Sequence, residues 1–266
     1  MPFTLAHAAA ALPLRRSKLV WSALVIGTFA PDLQYFLGLA GGHRESHSFP
    51  HLIAVATPLA LLVLWIFHRW LKRPLIELAP EGLRLRLLPY AGRFEFGGIR
   101  RFAAVLGSMW VGIATHLLWD SFTHPYTWIY WHCPWLRETG MFPVFDRWRP
   151  MPHVHMLQYA SSILGCLALG IAIVMWYRSA SPAKAVRSSI FTPAVRFAIL
   201  ALMLALPWIA ALVMADRRGH DAEDFLHVKT FADYLILLPG LLLSIELLTY
   251  GLLTTRLLRL RQVERF

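Results

Sequence analysis

Long apolar runs alternate with short polar connections along the whole chain. An α-helix needs about 20 residues to cross the hydrocarbon core of a bilayer, and each run is close to that length. The pattern predicts about six spans, at roughly residues 19–39, 51–68, 102–122, 156–177, 195–215 and 231–255. A shorter apolar run precedes them. The expected fold is therefore all-α, a polytopic transmembrane helical bundle forming a single integral membrane domain over residues 1–266.

Composition agrees with a membrane protein, and the charge pattern orients it. Hydrophobic residues make up 57% of the chain and charged residues only 15%, whereas a soluble domain carries about a quarter charged residues. Nineteen of the 26 Lys and Arg residues, but only four of the 15 acidic residues, fall in segments 15–18, 69–101, 178–196 and 256–266. These segments alternate with near-neutral connections, which is the positive-inside pattern of membrane proteins.

This alternation predicts that the N- and C-termini and the basic loop 69–101 face the cytoplasm, and that loop 123–155 lies outside. The net charge of +11 is also compatible with a nucleic-acid partner. Because the bases lie where anionic lipid headgroups would meet them, membrane lipids are the expected partners and nucleic acid is not. The oligomeric state stays open.

Ionisable residues inside the third predicted span are the first candidates for function. The stretch GIATHLLWDSFTHPY carries His116, Asp120 and His124 at intervals of four residues. On a helix such positions drift by only about 40° per step, so they share one face. Ionisable groups in membrane helices are costly and usually face a bundle interior, where they mark functional sites.

A second set of candidates belongs to the first predicted span and its end. Asp32 lies in the outer half of that span, at a depth comparable to that of Asp120. Three histidines then repeat every four residues: His43, His47 and His51. Imidazoles and carboxylates from facing helices form a mixed ligand set that suits zinc, manganese or iron. The convergence favours a metal site, while a proton or ion pathway and a structural hydrogen-bond network remain open.

The short apolar run at 3–14 has two interpretations. It is too short to span a bilayer, and the basic group at 15–18 holds its end at the cytoplasmic surface. A re-entrant or partly embedded helix would point His7 into the bundle toward Asp32. An interfacial helix lying on the membrane surface would leave His7 facing water.

Several stretches of the chain together resemble a known family. They are MPFTLAHAAAALPL, ALVIGTFAPDLQYF, SHSFPH, ATHLLWDSFTHP and MLQYASSILG. The chain is similar in these stretches to a bacterial inner-membrane family catalogued as domain of unknown function 4184, and the similarity covers nearly the whole sequence. This resemblance implies a fold of membrane-spanning helices and a multi-pass location in the bacterial inner (plasma) membrane. It implies no particular activity.

More distantly, the chain resembles the membrane-bound metal-dependent hydrolases of the YdjM-like group, which similarly show an early His, a Pro-Asp, a His-Ser and a His-x3-Asp. The same order is similar to that of zinc-dependent phospholipase C and the S1/P1 nucleases. This resemblance implies a divalent metal, zinc first and manganese second. The ligands it implies are His7, Asp32, His47, His116 and Asp120. The N-terminal tryptophan ligand of the soluble enzymes is missing, so we expect one or two metals.

The function expected from these patterns is that of a metal-dependent hydrolase acting on a phosphoester of a lipid or lipid-linked substrate. In this role His124 or His43 would act as general acid or base, and Arg44 would hold a phosphate oxygen. The alternative is a non-enzymatic membrane carrier or scaffold with a buried His/Asp polar network.

The predicted orientation can be tested with a topology reporter fused after residue 140. Because this position lies in the predicted outer loop, a reporter that is active only outside the cytoplasm should be active there. The same reporter fused after residue 90, in the basic loop, should be silent. Activity at residue 90 and silence at residue 140 would contradict the outward-facing site.

Overall fold

The structure of the chain is a computed structural model that describes residues 4–36, 46–144, 147–184, 189–219 and 226–263. It begins with a 3₁₀ helix, Thr4–Leu14, which we call the N-terminal segment. The following α-helices are α1 (Trp21–Gly27), α2 (Leu33–Phe36), α3 (Phe49–Leu78), α4 (Glu81–Leu87), α5 (Ile99–Thr123), α6 (Trp128–His132), α7 (His153–Ser179), α8 (Pro193–Gly219) and α9 (Leu226–Val263). Two π-helical stretches, Leu52–Ala56 and Phe67–Leu71, lie within α3. Three short 3₁₀ turns are Ala30–Asp32, Leu88–Tyr90 and Pro134–Arg137.

Within the described part of the chain, five helical stretches are long and apolar enough to cross a membrane. They are Phe49–Leu78, Ile99–His132, His153–Ser179, Pro193–Met214 and Leu238–Leu258. These stretches coincide with the last five spans predicted from the hydrophobic pattern. The prediction of an all-α, polytopic membrane protein is therefore confirmed.

The span predicted over residues 19–39 is not one continuous helix. After α1 ends, the 3₁₀ turn Ala30–Asp32 intervenes before α2, and residues 37–39 lie outside the described ranges. Pro31 explains the break, because proline lacks an N–H and its ring clashes with the carbonyl four residues earlier. The hydroxyl of Thr28 donates to the Val25 carbonyl at 2.7 Å where α1 ends. The break leaves Asp32 in a turn rather than on a helix face.

The predicted outer loop 123–155 is more ordered than the sequence indicates. It contains α6 and an antiparallel hairpin of β1 (Thr139–Val144) and β2 (Arg147–Pro152), in which Thr139 pairs with Pro152. Prolines at positions 143, 150 and 152 explain why the sequence does not predict these strands, since proline has no N–H to donate to a neighbouring strand. The predicted basic loop also begins as helix, because α3 continues to Leu78.

The described residues form two compact units. The first holds the N-terminal segment, α1, the start of α3, α5, α6, the hairpin and α7 up to Arg178. The second holds the remainder of α3, α4, α8 and α9. All five residues that the distant resemblance implies as ligands belong to the first unit.

A close crossing of α1 and α5 organises the first unit. A Cβ on Gly112 would overlap the backbone carbonyl oxygen of Leu24, and a Cβ on Gly27 would overlap that of Met109. Small residues allow membrane helices to approach this closely, because van der Waals packing rather than hydrophobicity drives their association. The Val20 N–H also donates to the Ser108 hydroxyl at 2.8 Å. The two backbones are therefore held in a fixed register.

The N-terminal segment is embedded in the first unit. A 3₁₀ helix has three residues per turn, so Thr4 and His7 lie on one face, and both side chains are buried. Another side of the segment approaches α7, where a Cβ on Gly165 would lie 3.0 Å from the Ala6 carbonyl oxygen. This placement matches the embedded interpretation of residues 3–14 and not the one that leaves His7 in water.

In the second unit, buried arginines attach α4 to α3 and α8. Arg84 donates to Glu77 at 3.2 Å and to Glu81 at 3.0 Å. Arg196 donates to the other oxygen of Glu81 at 3.0 Å and to the Ala79 carbonyl at 2.9 Å. The hydrogen bond from Arg196 holds the pKa of the Glu81 carboxyl below its usual range. Part of the predicted basic loop is thus packed against helices through ion pairs.

The crossing predicts opposite effects for two glycine substitutions in α5. Gly112→Ala places a methyl group against the Leu24 backbone, so it should lower the thermal unfolding temperature in detergent, at a cost of about 1–3 kcal/mol. Gly107→Ala is the matched control, because nothing lies within 4 Å of a Cβ there. That change should be neutral or stabilise by about 0.5–1 kcal/mol through helix propensity. Equal unfolding temperatures for the two variants would contradict a tight crossing at residue 112.

Candidate metal centre

Four elements bring five ionisable side chains together in the first unit. The residues are His7, Asp32, His47, His116 and Asp120, and we call them the His/Asp cluster. His116 and Asp120 are one turn apart on the buried face of α5. The N-terminal segment supplies His7, the break after α1 supplies Asp32, and the turn before α3 supplies His47. Each of the five predicted ligands lies in the cluster.

Three atoms of the cluster have the mutual spacing of metal ligands, and a fourth lies close to two of them. Nε2 of His47 and Nε2 of His116 are 3.2 Å apart, and each lies 3.2 Å from Oδ2 of Asp120. Oδ1 of Asp32 lies 3.9 Å from the His47 nitrogen and 3.8 Å from the His116 nitrogen. Ligands bound tetrahedrally at 2.0–2.1 Å are separated by about 3.3–3.4 Å. The atoms of His47, His116 and Asp120 therefore match the spacing of metal ligands, and the Asp32 oxygen lies slightly farther from the two nitrogens.

The second oxygen of Asp120 faces a different pair of imidazoles. Oδ1 lies 2.9 Å from Nε2 of His7 and 3.3 Å from Nδ1 of His124. The His7 ring stacks on the His116 ring with centroids 4.2 Å apart. Asp120 thus lies between two sets of nitrogens, one toward each of its oxygens.

Backbone carbonyls fix which nitrogens point inward. Nδ1 of His116 lies 2.8 Å from the Thr28 carbonyl, and Nδ1 of His7 lies 3.2 Å from the Thr4 carbonyl. A carbonyl only accepts, so Nδ1 carries the proton and Nε2 of each neutral ring presents a lone pair. These lone pairs face carboxylate oxygens of Asp120. Two acceptors at about 3 Å repel each other unless a proton or a metal cation lies between them.

Charge and burial indicate the same requirement. Asp32 and Asp120 are each only 4% exposed, and together they contribute two negative charges. Burying carboxylates is costly unless cations or hydrogen bonds compensate them. A divalent cation would neutralise both, and two imidazoles with two carboxylates suit zinc or manganese. The side chain of His47, 11% exposed, is the most accessible of the five.

Two residues that the sequence analysis did not select support the cluster from outside. The hydroxyl of Thr4 donates to Oδ2 of Asp32 at 2.8 Å. The side-chain amide of Gln158 donates to Nε2 of His124 at 3.5 Å and accepts from Nδ1 of His155 at 3.1 Å. A threonine near the N-terminus and a glutamine in an apolar helix are not typical metal ligands, so the sequence gives no reason to select them. Only their position beside the cluster reveals them.

The remaining predicted residues have different outcomes. His7 was expected to point toward Asp32, but its partner is Asp120, and Thr4 contacts Asp32 instead. The reason is the three-residue turn of the N-terminal segment, which puts Thr4 one turn closer to the Pro31 break. His124 is buried and contacts Asp120. His43 and Arg44 lie outside the described residues.

Comparison with known proteins places the chain in a family. No curated protein and no solved structure matches it. The family model of the domain of unknown function DUF4184 matches residues 1–248, a range that contains the whole His/Asp cluster. The chain therefore belongs to the DUF4184 family.

Proposed function

We propose that this membrane protein is a metal-dependent hydrolase whose centre is the His/Asp cluster. The observation that carries the proposal is the convergence of Nε2 of His47, Nε2 of His116 and Oδ2 of Asp120 at 3.2 Å from one another, with Oδ1 of Asp32 at 3.8–3.9 Å from the two nitrogens, in an apolar bundle. His47, His116, Asp32 and Asp120 would hold the first cation. His7 would reach a second one through the other oxygen of Asp120.

A bound divalent cation supplies Lewis-acid polarisation of a phosphoryl oxygen and lowers the pKa of a water molecule toward about 7. The residues of the chain do the rest. The carbonyls of Thr28 and Thr4 accept from Nδ1 of His116 and His7, which orients each ring so that Nε2 points inward. His124, beside Asp120, is placed to accept or donate a proton as general acid or base. His43 and Arg44, four and three residues before His47, keep their proposed roles from the sequence alone.

A phosphoester of a lipid or lipid-linked molecule is the proposed substrate. His116 and Asp120 lie in the last part of the apolar helix α5, and the stretch that follows, including α6, has exposed aromatic side chains at Tyr126, Trp128 and Trp131. Tryptophan and tyrosine prefer the headgroup level of a bilayer, so phosphoesters of lipid headgroups would lie at a matching depth. The charge pattern supports a bacterial inner-membrane location with loop 69–101, the basic group at 15–18 and the C-terminus in the cytoplasm.

A non-enzymatic carrier or scaffold is the second candidate. The observation that favours it is a hydrogen-bonded series that runs from His155 through Gln158 and His124 to Asp120. Series of Asp and His side chains carry protons in membrane transporters. Such a relay needs no metal, so metal content separates the two candidates.

The first prediction of the hydrolase proposal concerns metal content. Protein purified in detergent with a histidine-free tag should contain one or two equivalents of zinc or manganese by plasma mass spectrometry. His116→Ala should reduce the metal to background, because it removes a nitrogen that faces both carboxylates. His132→Ala is the matched control, since His132 is exposed and its ring contacts the Trp128 carbonyl. Metal-free, folded wild-type protein would leave the carrier or scaffold as the explanation.

The second prediction concerns activity. Zinc- or manganese-loaded protein should hydrolyse at least one member of a panel of lipid phosphomonoesters and phosphodiesters, and a chelator should abolish the reaction. Asp120→Asn keeps the shape of the side chain but removes its charge, so it should lower the rate at least about 100-fold. His132→Ala should retain the wild-type rate. Metal-loaded protein with no activity on the whole panel would contradict a phosphoesterase.

A further inference from the structure

We propose that Thr4 is a positioning residue that holds two ligands of the His/Asp cluster in place and couples metal binding to docking of the N-terminal segment. Thr4 makes a hydrogen bond with Asp32 and another with His7, and it is not itself a proposed metal ligand. This inference rests on the metal centre of the proposed function, but it does not depend on hydrolysis.

The first contact orients the carboxylate of Asp32. Oδ1 of Asp32 faces the nitrogens of His47 and His116, while Oδ2 accepts the Thr4 hydroxyl at 2.8 Å. A carboxylate on the short turn Ala30–Asp32 can rotate about its last bond, and a hydrogen bond to the non-ligating oxygen removes that freedom. Partners of this kind around metal ligands typically change metal affinity 10–100-fold when they are lost.

The second contact orients His7. The Thr4 carbonyl accepts from Nδ1 of His7 at 3.2 Å, which leaves Nε2 with its lone pair toward Oδ1 of Asp120. Because Thr4 and His7 are three residues apart on a 3₁₀ helix, the same turn that places both on one face also brings the carbonyl under the ring. One residue thus orients a ligand on its own element and a ligand on another.

A reciprocal effect follows from these contacts. If the docked segment raises metal affinity, metal must by the same free energy favour the docked segment. The surroundings of Thr4 are suited to this coupling, since its side chain is buried and its hydroxyl is paired with a carboxylate. Metal should therefore protect residues 4–14 from amide hydrogen exchange.

The test compares three variants, each with a histidine-free C-terminal tag, in zinc competition against a chelating dye. Thr4→Val keeps the shape of the side chain and removes the donor, so it should weaken zinc binding about 10-fold or more. Thr4→Ser restores the hydroxyl and should bind within about threefold of wild type. Thr57→Val is the matched control, because Thr57 is also buried and donates only to its own helix, at the Leu52 carbonyl, 2.7 Å away.

Each outcome decides the inference. Weakened binding in Thr4→Val alone supports it. Unchanged binding in Thr4→Val, or equal weakening in Thr57→Val, overturns it and leaves the metal centre standing. A wild type that binds no zinc overturns both the metal centre and the role of Thr4, whereas zinc binding without hydrolysis overturns only the hydrolase.

A second measurement covers the case in which Thr4→Val does not fold. In the wild-type protein, zinc should slow amide exchange in residues 4–14 at least about tenfold. The exchange of α9, in the other unit, should stay unchanged. Equal exchange in residues 4–14 with and without zinc would overturn the coupling.

Discussion

The burial of two carboxylates is the constraint on which the first unit depends. Burying a carboxylate in an apolar bundle costs several kcal/mol when nothing compensates its charge. Asp32 and Asp120 therefore each need a cation or a hydrogen-bond donor beside them. The unit brings a threonine hydroxyl that donates to Asp32 and three imidazoles that can share a proton or a metal cation with the carboxylates. These groups come from elements far apart in sequence. The architecture around them is best understood as the means of holding that arrangement.

Two backbone features make the arrangement reachable. The glycine crossing lets α1 lie against α5 with almost no side chain between them, so the Thr28 carbonyl can reach the His116 ring. The proline break then turns the chain, and Asp32 faces α5 from a turn rather than from a helix. A continuous helix through Pro31 would carry Asp32 around the helix axis. The interruption of the first predicted span is therefore part of how the site is built.

The sequence predicts much of this architecture and misses a definable remainder. Spacing of four along α5 was sufficient to place His116 and Asp120 on one buried face, because helical periodicity is local. The apolar runs likewise located five membrane helices. Thr4, Gln158 and the pairing of His7 with Asp120 could not be predicted, since they depend on contacts between distant segments. The hairpin was missed because its prolines oppose strand formation locally, while the pairing of β1 with β2 overrides that preference.

The bond between His7 and Asp120 also has a consequence for biosynthesis. The two residues are separated by 113 positions in the chain. At a synthesis rate of about 5–20 residues per second, roughly 6–23 s pass between the appearance of the first and that of the second. During that interval the segment carrying His7 has been made but its carboxylate partner has not. The centre therefore cannot assemble until α5 has been made, however early the N-terminal segment is synthesised.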